Sequence, residues 1–367
     1  MSGPAAKKHK AEAPAAPSTT IAADRALFET TADELIDLVA GELGPVFEMK
    51  TEAVEYVRRM YNYTTKGGKM TRGLTVLHAR RTIAGAAGRE LSAAESKGAC
   101  QLGWCIEWLQ ACFLVADDVM DASVTRRGQP CWYKLPNVGT IAINDAFILR
   151  SGLFRVLRAH FREAPAYLPL LELFNETTYQ TELGQLLDLT SQPIGAPPAL
   201  ERFTEDRYYS IVKYKTAFYS FYLPVACALL VEGVTEETIF AASREILVDM
   251  GVYFQVQDDW LDCYGSPEVI GKVGTDIQDN KCGWLIVQAL KKCSPEQRAA
   301  LQEHYGREEE ASIAAVKAIY TALDLTAQYQ AYEAAAYERL TTNIAAVKEV
   351  PPQVFNDLLA KIFKRKK

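Results

Sequence analysis

The sequence has few histidines and no closely spaced cysteine pairs, so it lacks the usual ligands of a zinc site. Among its 367 residues are 4 His and 8 Cys, and no two cysteines are spaced as C-x-x-C. Zinc sites are built from clustered Cys and His side chains, so a site of that kind is excluded. The cysteines are scattered through apolar stretches, as is typical of reduced thiols. We therefore expect a cytoplasmic protein, with organelle targeting by the N-terminal tail left open.

Long apolar runs and an excess of basic residues are also missing. The longest apolar run, 218–231, is interrupted by Ser220 and Pro224 and falls short of the ~18 to 20 apolar residues that span a bilayer. Lys and Arg number 40 against 46 Asp and Glu, giving a formal net charge of -6. We therefore expect no nucleic-acid binding and no integral membrane association. Any anionic ligand must be bound by a local cluster of cations.

Strand signals are scarce, whereas helical periodicity runs from residue 22 onward. The stretch 307–350 contains no Gly or Pro, and these residues cluster instead between the helical segments. Residues 1–20 hold three prolines, many alanines and a short basic run, with little to bury. The pattern predicts a disordered N-terminal tail over 1–20 and a single all-α domain over 21–367.

Two apolar helices are predicted to end in clusters of aspartates. The first segment, 103–121, reads GWCIEWLQACFLVADDVMD, and the second, 251–262, reads GVYFQVQDDWLD. At helical spacing, Asp117 and Asp121 project from one face, as do Asp258 and Asp262. Oxygen ligands without His or Cys favour Mg²⁺, which binds one or two carboxylates together with substrate phosphates. One such cluster could be a solvated helix end, but two copies favour a metal-diphosphate site. The candidate metal ligands are Asp117, Asp118, Asp121, Asp258, Asp259 and Asp262.

Basic residues accompany both clusters. Lys69 and Arg72 lie in GGKMTRG, where glycines let the backbone approach a ligand, and Arg126 and Arg127 follow the first cluster. Lys215 lies in YKTAFYSFYLP, and the second cluster is followed by Lys272 and Lys281. Together these cations predict a cavity that neutralises two separate diphosphates.

These motifs, with SVTRRGQPCWY, TELGQLLDLT and GKVGTDIQDNKCGWL, resemble those of the trans-prenyl diphosphate synthases, most closely the eukaryotic farnesyl-producing type. The resemblance covers the chain from about residue 22 to its C-terminus. It implies an all-α barrel of about ten helices around a central substrate cavity, of isoprenoid synthase type, usually as a homodimer. It also implies Mg²⁺-dependent condensation of isopentenyl diphosphate with dimethylallyl and geranyl diphosphate to give farnesyl diphosphate. That reaction proceeds through an allylic carbocation and releases diphosphate.

The resemblance assigns roles to individual residues. Asp117, Asp121 and Asp258 would be the principal ligands of three Mg²⁺ ions, for which Mn²⁺ is expected to substitute, and Asp118, Asp259 and Asp262 would support them. Thr216 and Gln255 would direct oxygen dipoles toward the cation. The allylic diphosphate would be held by Arg126, Lys215 and Lys272, with Lys281 nearby. Isopentenyl diphosphate would be held by Lys69, Arg72, Gln110 and Arg127, and the pocket would be bordered by Gln185 and Asp188.

Two departures from the family pattern are present, of which the first is mild and the second bears on the length of the product. Thr71 stands where Asn is usual in GGKxNRG, and Cys112 stands where a bulky ring usually precedes the first aspartate cluster, next to Phe113. Cys112 and Phe113 are the candidate chain-length gate. Geranylgeranyl diphosphate synthesis is therefore an alternative within the family, and a terpene cyclase is a weaker one. A non-catalytic helical regulatory subunit is the alternative from another class, although it would be expected to have lost aspartates or cations.

Overall fold

The computed structural model describes residues 18–191, 199–266 and 274–364. Strands in these ranges are limited to β1 (Thr125–Arg126) and β2 (Gln129–Pro130), a short antiparallel hairpin. The all-α prediction is confirmed. In chain order the helices are α1 (Ser18–Gly41), α2 (Leu43–Phe47), α3 (Thr51–Thr65), α4 (Thr71–Ala86), α5 (Ala93–Met120), α6 (Ile141–Phe161), α7 (Tyr167–Leu189), α8 (Glu205–Ile211), a π-helix (Val212–Tyr222), α9 (Leu223–Val231), α10 (Glu237–Tyr264), α11 (Trp284–Lys292), α12 (Pro295–His304), α13 (Glu310–Ala322), α14 (Leu325–Ala346) and α15 (Pro352–Ile362), with 3₁₀ turns at Trp132–Lys134 and Leu200–Arg202.

The first helix begins at Ser18, inside the segment 1–20 that the sequence predicts as a tail. Residues 1–17 lie outside the described residues, so disorder there stays a prediction. The single domain predicted over 21–367 stays a prediction as well.

Helix α5 is the buried helix that carries the first aspartate cluster. It begins at a capping box, in which the Ser92 hydroxyl accepts from the Glu95 N–H and the Glu95 carboxylate accepts from the Ser92 N–H. Helices α4 and α6 pack along it, and Trp104 and Trp108 are fully buried. Because most of α5 is out of contact with water, its polar side chains must find partners in the protein or in a ligand.

Two facing glycines bring α4 into direct contact with α5. A Cβ atom on Gly103 would lie 2.4 Å from the carbonyl oxygen of Gly73, closer than real atoms approach. A side chain at either position would push the helices apart. The close packing places Arg72, which precedes Gly73, beside the inner face of α5.

Glycines also allow two helices to contact the π-helix. A Cβ atom on Gly184 of α7 would lie 2.1 Å from the backbone nitrogen of Lys215, and one on Gly251 of α10 would lie 2.4 Å from the Cβ of Ala217. π-Helices are rare and often occur at functional sites. The one in this chain carries both Lys215 and Thr216.

Two helical stretches in the described ranges, Ala93–Met120 and Glu205–Val231, are long and apolar enough to cross a membrane by length and composition. The second stretch contains the apolar run 218–231, and both stretches include polar residues. However, 83% and 72% of their most apolar windows are buried inside the protein. Helices in the core of a folded domain have the same composition, so these two are accounted for by the core.

Candidate active site

The first aspartate cluster lies at the C-terminal end of α5 and is linked by lysines into one chain of ion pairs. The Lys215 Nζ lies 3.2 Å from Asp117 Oδ1 and 2.5 Å from Asp188 Oδ2. The Lys281 Nζ lies 3.4 Å from the same Asp188 oxygen and 2.6 Å from Asp121 Oδ2. The chain of contacts therefore runs Asp117, Lys215, Asp188, Lys281, Asp121, and it joins α5 to α7 and the π-helix.

The two lysines alter the titration of these carboxyl groups. Although burial opposes the charged form, Lys215 and Lys281 hold the pKa values of Asp117 and Asp188 below the ordinary range. At Asp121 burial dominates and raises the pKa despite Lys281. Two anionic carboxylates are thus stabilised by cations that a bound diphosphate could also contact.

Asp118 is bound mainly by Arg126, whereas its neighbour Asp117 is paired with Lys215. It is buried, and its Oδ1 accepts from the Nε of Arg126 at 3.0 Å and from the Nη2 at 2.5 Å. Arg126 is delivered by the β1–β2 hairpin, and its Nη2 also lies 3.5 Å from Asp117 Oδ2. Asp118 therefore anchors Arg126 beside the cluster, which is a supporting position.

The second cluster lies near the C-terminal end of α10, and its adjacent aspartates, Asp258 and Asp259, also have different surroundings. Asp259 is buried and accepts from the Tyr208 hydroxyl at 2.8 Å, the Trp284 N–H at 2.8 Å and the Gln255 amide at 2.9 Å. Burial raises the pKa of Asp259. Asp262 accepts from the Asp276 N–H at 3.0 Å, while Asp258 is half-buried. Three protein donors thus hold Asp259, which also supports the cluster from behind.

The two residues predicted to direct oxygen atoms toward a cation are in contact. The Thr216 hydroxyl of the π-helix donates to Gln255 Oε1 of α10 at 3.2 Å. The Gln255 amide nitrogen in turn donates to Asp259. These hydrogen bonds fix the orientation of both oxygen atoms.

A second group of polar residues gathers around Arg72. Its Nε donates to the Ser220 hydroxyl at 2.9 Å, and its guanidinium carbon lies 4.9 Å from the centre of the Tyr219 ring. With its amide oriented to match its neighbours, Gln110 accepts from the Nη1 of Arg72 at 2.7 Å. The π-helix therefore contributes Lys215 to the aspartate side and Ser220 to this side.

Arg127 and Lys69 border the Arg72 group. The Nη1 of Arg127 donates to the carbonyl oxygen of Lys66 at 3.0 Å, at the end of α3. Its guanidinium lies against Gly68, where a Cβ atom would be 3.0 Å from the Arg127 Cζ. Lys69 is exposed. Gly68 of GGKMTRG thus makes room for an arginine from the hairpin loop.

The candidate gate residues lie below the first cluster on α5. The Phe113 ring is half-buried and meets the Tyr219 ring edge-on, with centroids 5.8 Å apart. Cys112 is buried, which raises its pKa to about 12. Phe113 therefore contacts an aromatic ring of the π-helix.

The structure brings most of the predicted site residues into two neighbouring groups. Gln185 also reaches the first cluster, donating to Asp117 Oδ1 at 2.9 Å. Lys272 lies outside the described residues, so its predicted role remains a prediction.

Sequence reasoning passed over three residues that contact the site. They are Glu107, Tyr208 and Ser220. Glu107 had a signal in the sequence, because it is the one charged side chain between residues 98 and 116, in a largely apolar segment. The other two are ordinary polar residues, and nothing in the sequence distinguishes them.

Within the described residues, no group of three or more His, Cys, Asp or Glu side chains is arranged to hold a metal ion by itself. Magnesium does not need such a cage, since it commonly takes one or two carboxylates and completes its shell with water and substrate phosphates. The half-exposed Asp117, Asp121 and Asp258 are oxygen donors of the right kind, so the site fits Mg²⁺ bound together with a diphosphate.

A groove with a volume of about 710 Å³ lies away from these residues, between α10 and α14 and beside the bidentate pair of Arg339 with Asp249. A cavity of only about 30 Å³ borders Asp118, Arg126 and Arg127. The groove contains none of the predicted site residues. We therefore locate the candidate site by the positions of its charged side chains and not by the size of a groove.

Comparisons with known proteins identify the family to which this chain is similar. The family described as polyprenyl synthetase matches residues 54–323. A farnesyl diphosphate synthase of Dictyostelium discoideum is 48% identical over 92% of this chain and 92% of its own length. A farnesyl pyrophosphate synthase 2 of Arabidopsis thaliana is 50% identical over 88% of this chain and 94% of its own. Among solved structures, a T. brucei farnesyl diphosphate synthase complexed with a bisphosphonate has a TM-score of 0.86 at 38% identity, covering 94% of this chain and all of the other.

Proposed function

This chain belongs to the polyprenyl synthetase family, and we propose that it is a prenyltransferase that condenses isopentenyl diphosphate with dimethylallyl and then geranyl diphosphate to give farnesyl diphosphate. The farnesyl-producing relatives do not favour the geranylgeranyl alternative, and the intact aspartates and cations do not favour a non-catalytic subunit.

One observation carries the proposal: the π-helix lies between two separate cationic groups. On one side Lys215 is paired with Asp117 and Asp188, and on the other Ser220 binds Arg72. A condensation of two diphosphates needs two such groups, because the reacting carbons must meet while their charged ends are held apart.

The aspartate side is proposed to bind the allylic diphosphate. Lys215, Arg126 and Lys281 are already within ion-pair distance of the first cluster, and each can turn to phosphate oxygens that enter beside it. Mg²⁺, three ions in our proposal and replaceable by Mn²⁺, would be held by Asp117, Asp121 and Asp258 and would neutralise the leaving diphosphate.

The ionised substrate is a carbocation that water would destroy. Thr216 and Gln255 hold oxygen atoms at fixed orientations on the π-helix and α10, where dipoles can stabilise positive charge without reorganising. We propose that the oxygens face the allylic carbon and that substrate binding closes the site to water.

The Arg72 side is proposed to bind isopentenyl diphosphate. Arg72, Arg127, Lys69 and Gln110 supply the cations and the amide for its phosphate oxygens. Its alkene then attacks the allylic cation, forming a carbon–carbon bond. The released diphosphate takes up the proton that is lost from the new cation, so charge and atoms balance.

We propose a homodimer as the assembly. Large apolar side chains remain exposed along the outer faces of α6 and α7, where a second copy would cover them. They are Ile141, Ile143, Phe147, Tyr179, Leu183 and Leu186. We also propose the cytoplasm as its location, which eight free cysteines support.

The proposal is tested by incubating the protein with labelled isopentenyl diphosphate and each allylic starter, with Mg²⁺ and after exhaustive chelation. We expect a fifteen-carbon product, lost on chelation and restored by added Mg²⁺, because the clustered carboxylates repel a diphosphate without cations. Product formation undiminished by chelation would contradict the metal assignment. The absence of any prenyl product with Mg²⁺ would contradict the reaction.

Separate diphosphate sites predict separable defects. Arg72→Ala should raise the KM for isopentenyl diphosphate at least about tenfold, since a charge-assisted hydrogen bond contributes roughly 1.5 to 3 kcal/mol. Lys215→Ala should mainly lower turnover of the allylic substrate. Steady-state kinetics with each substrate varied in turn would measure both. Arg58→Ala, at an exposed pair with Asp37, is the control that should change neither constant. Equal effects of Arg72→Ala and Lys215→Ala on the same constant would contradict the two-site assignment.

A further inference from the structure

We propose that Glu107 is a positioning residue for isopentenyl diphosphate: its carboxylate orients the Gln110 amide, and through that amide it fixes the guanidinium of Arg72. The inference rests on the proposed function, in which Arg72 binds that substrate. It adds a residue that would not itself touch the ligand.

Glu107 is held deep in the contact between α4 and α5. Its side chain is 3% exposed, and its Oε1 accepts from the backbone N–H of Gly73 at 2.8 Å. Gly73 and Gly103 allow the two helices to come this close, and a Cβ atom on Gly73 would lie 3.0 Å from the Glu107 Cγ. One carboxylate oxygen is thus fixed by backbone on the first turn of α4, the same turn that carries Arg72.

The other carboxylate oxygen sets the direction of a hydrogen-bond chain. Gln110 donates through Nε2 to Glu107 Oε2 at 3.2 Å, and its own oxygen then accepts from Arg72 Nη1 at 2.7 Å. An ionised carboxylate can only accept, so it forces the amide nitrogen toward itself and the amide oxygen toward Arg72. A reversed amide would place its N–H groups against the guanidinium.

The guanidinium of Arg72 is therefore held at several points. Gln110 accepts from Nη1, Ser220 accepts from Nε at 2.9 Å, and the centre of the Tyr219 ring lies 4.9 Å from the guanidinium carbon. A guanidinium that is fixed before the ligand arrives loses less freedom on binding, which favours affinity.

A carboxylate at this place needs an explanation, because a negative charge near a diphosphate site opposes binding. Burial raises the pKa of Glu107, while the Gly73 N–H and the guanidinium groups of Arg72 and Arg127 favour its charged form. In our proposal, the orientation that Glu107 gives to Gln110 and Arg72 favours diphosphate binding and offsets the repulsion between its carboxylate and the diphosphate.

The experiment is the Glu107→Gln substitution, which keeps the shape. Glutamine can still accept from Gly73 through its oxygen, but its NH₂ then faces Gln110 and turns that amide around. We expect the KM for isopentenyl diphosphate to rise about tenfold, as for loss of one charge-assisted hydrogen bond. The KM for geranyl diphosphate and kcat at saturating isopentenyl diphosphate should change by less than about threefold.

A double-mutant cycle separates positioning from general damage. In the Gln110→Ala background the amide is gone, so Glu107→Gln should add less than about twofold to the KM for isopentenyl diphosphate. Asp24→Asn, at another buried carboxylate that pairs with Arg81, is the matched control and should leave both KM values unchanged. Thermal melting of each variant reports the structural effect.

Several outcomes would overturn the inference. They are an unchanged KM for isopentenyl diphosphate, an equal rise in both KM values, or the same factor with and without Gln110. Should Glu107→Gln not fold, Glu107→Asp keeps the charge but withdraws it from Gln110, and the same selective rise is expected. A wild-type enzyme without prenyl transfer would overturn the proposed function instead, so the two failures are distinguishable.

Discussion

Asp117→Asn should lower kcat for farnesyl diphosphate formation at least about 100-fold, the usual cost of removing one group that stabilises charge in a transition state. The loss falls on the step in which the allylic diphosphate leaves, since Asp117 is a proposed magnesium ligand at that position. The fold should remain, because Lys215 keeps its 2.5 Å pair with Asp188 when Asp117 is neutralised. Single-turnover rates and circular dichroism measure the two effects.

The second cluster provides a contrast within one motif. Asp258→Asn should reduce turnover to a similar degree with little change in melting temperature. Asp259→Asn should lower the melting temperature more, because an amide cannot accept from Tyr208, Trp284 and Gln255 as a carboxylate does. Asp37→Asn, at an exposed helix position, is the control for charge alone. Wild-type turnover in Asp117→Asn would assign the first cluster to a solvated helix end.

Helical periodicity was sufficient to predict where the first cluster lies but not how its members divide. The i, i+4 spacing predicts that Asp117 and Asp121 project from one side of the helix, and in the structure both contact lysines of the same chain of ion pairs. Adjacent aspartates such as Asp117 and Asp118 look alike in sequence. Their difference depends on Arg126, which arrives from a separate hairpin and binds Asp118.

The π-helix is a feature that could not be predicted from the sequence. Its residues read as a continuation of ordinary helix, and the hydrogen-bond register is decided by what packs against it. Gly184 of α7 and Gly251 of α10 allow the backbone of the π-helix to approach at distances that a residue with a Cβ atom would not allow. Those contacts depend on residues distant in the chain, so local propensity does not encode them.

The hairpin between α5 and α6 is a second case. Strand signals are scarce in the sequence, and the two strands are only two residues long each. The turn has positive φ at Arg127 (54°) and Gly128 (75°), a conformation that glycine favours and arginine rarely adopts. An arginine at such a position is held by its contacts with the end of α3, which a sequence does not display.

The largest change in product should come from Phe113→Ala, which we expect to shift the main product from fifteen carbons to twenty or more. Phe113 lies four residues before Asp117, about 6 Å along α5, and we expect the growing tail to extend toward it from the diphosphate. Its ring meets Tyr219 of the π-helix edge-on, so we expect the two rings together to limit the length of the tail. Chromatography of dephosphorylated products measures the shift.

If Phe113 only packs in the core, Phe113→Ala should have a different effect, and the experiment can distinguish core packing from a gate. Removal of a buried ring costs roughly 3 to 5 kcal/mol and would leave chain length unchanged if the ring served stability alone. Phe161→Ala is the matched control, since Phe161 is buried in the same core but lies against Gly98, near the start of α5. It should lower the melting temperature and keep the fifteen-carbon product.

Cys112→Phe should suppress any twenty-carbon product of the native enzyme, at a cost in stability because Cys112 is already buried. A folded and active Phe113→Ala enzyme with unchanged product length would refute the gate.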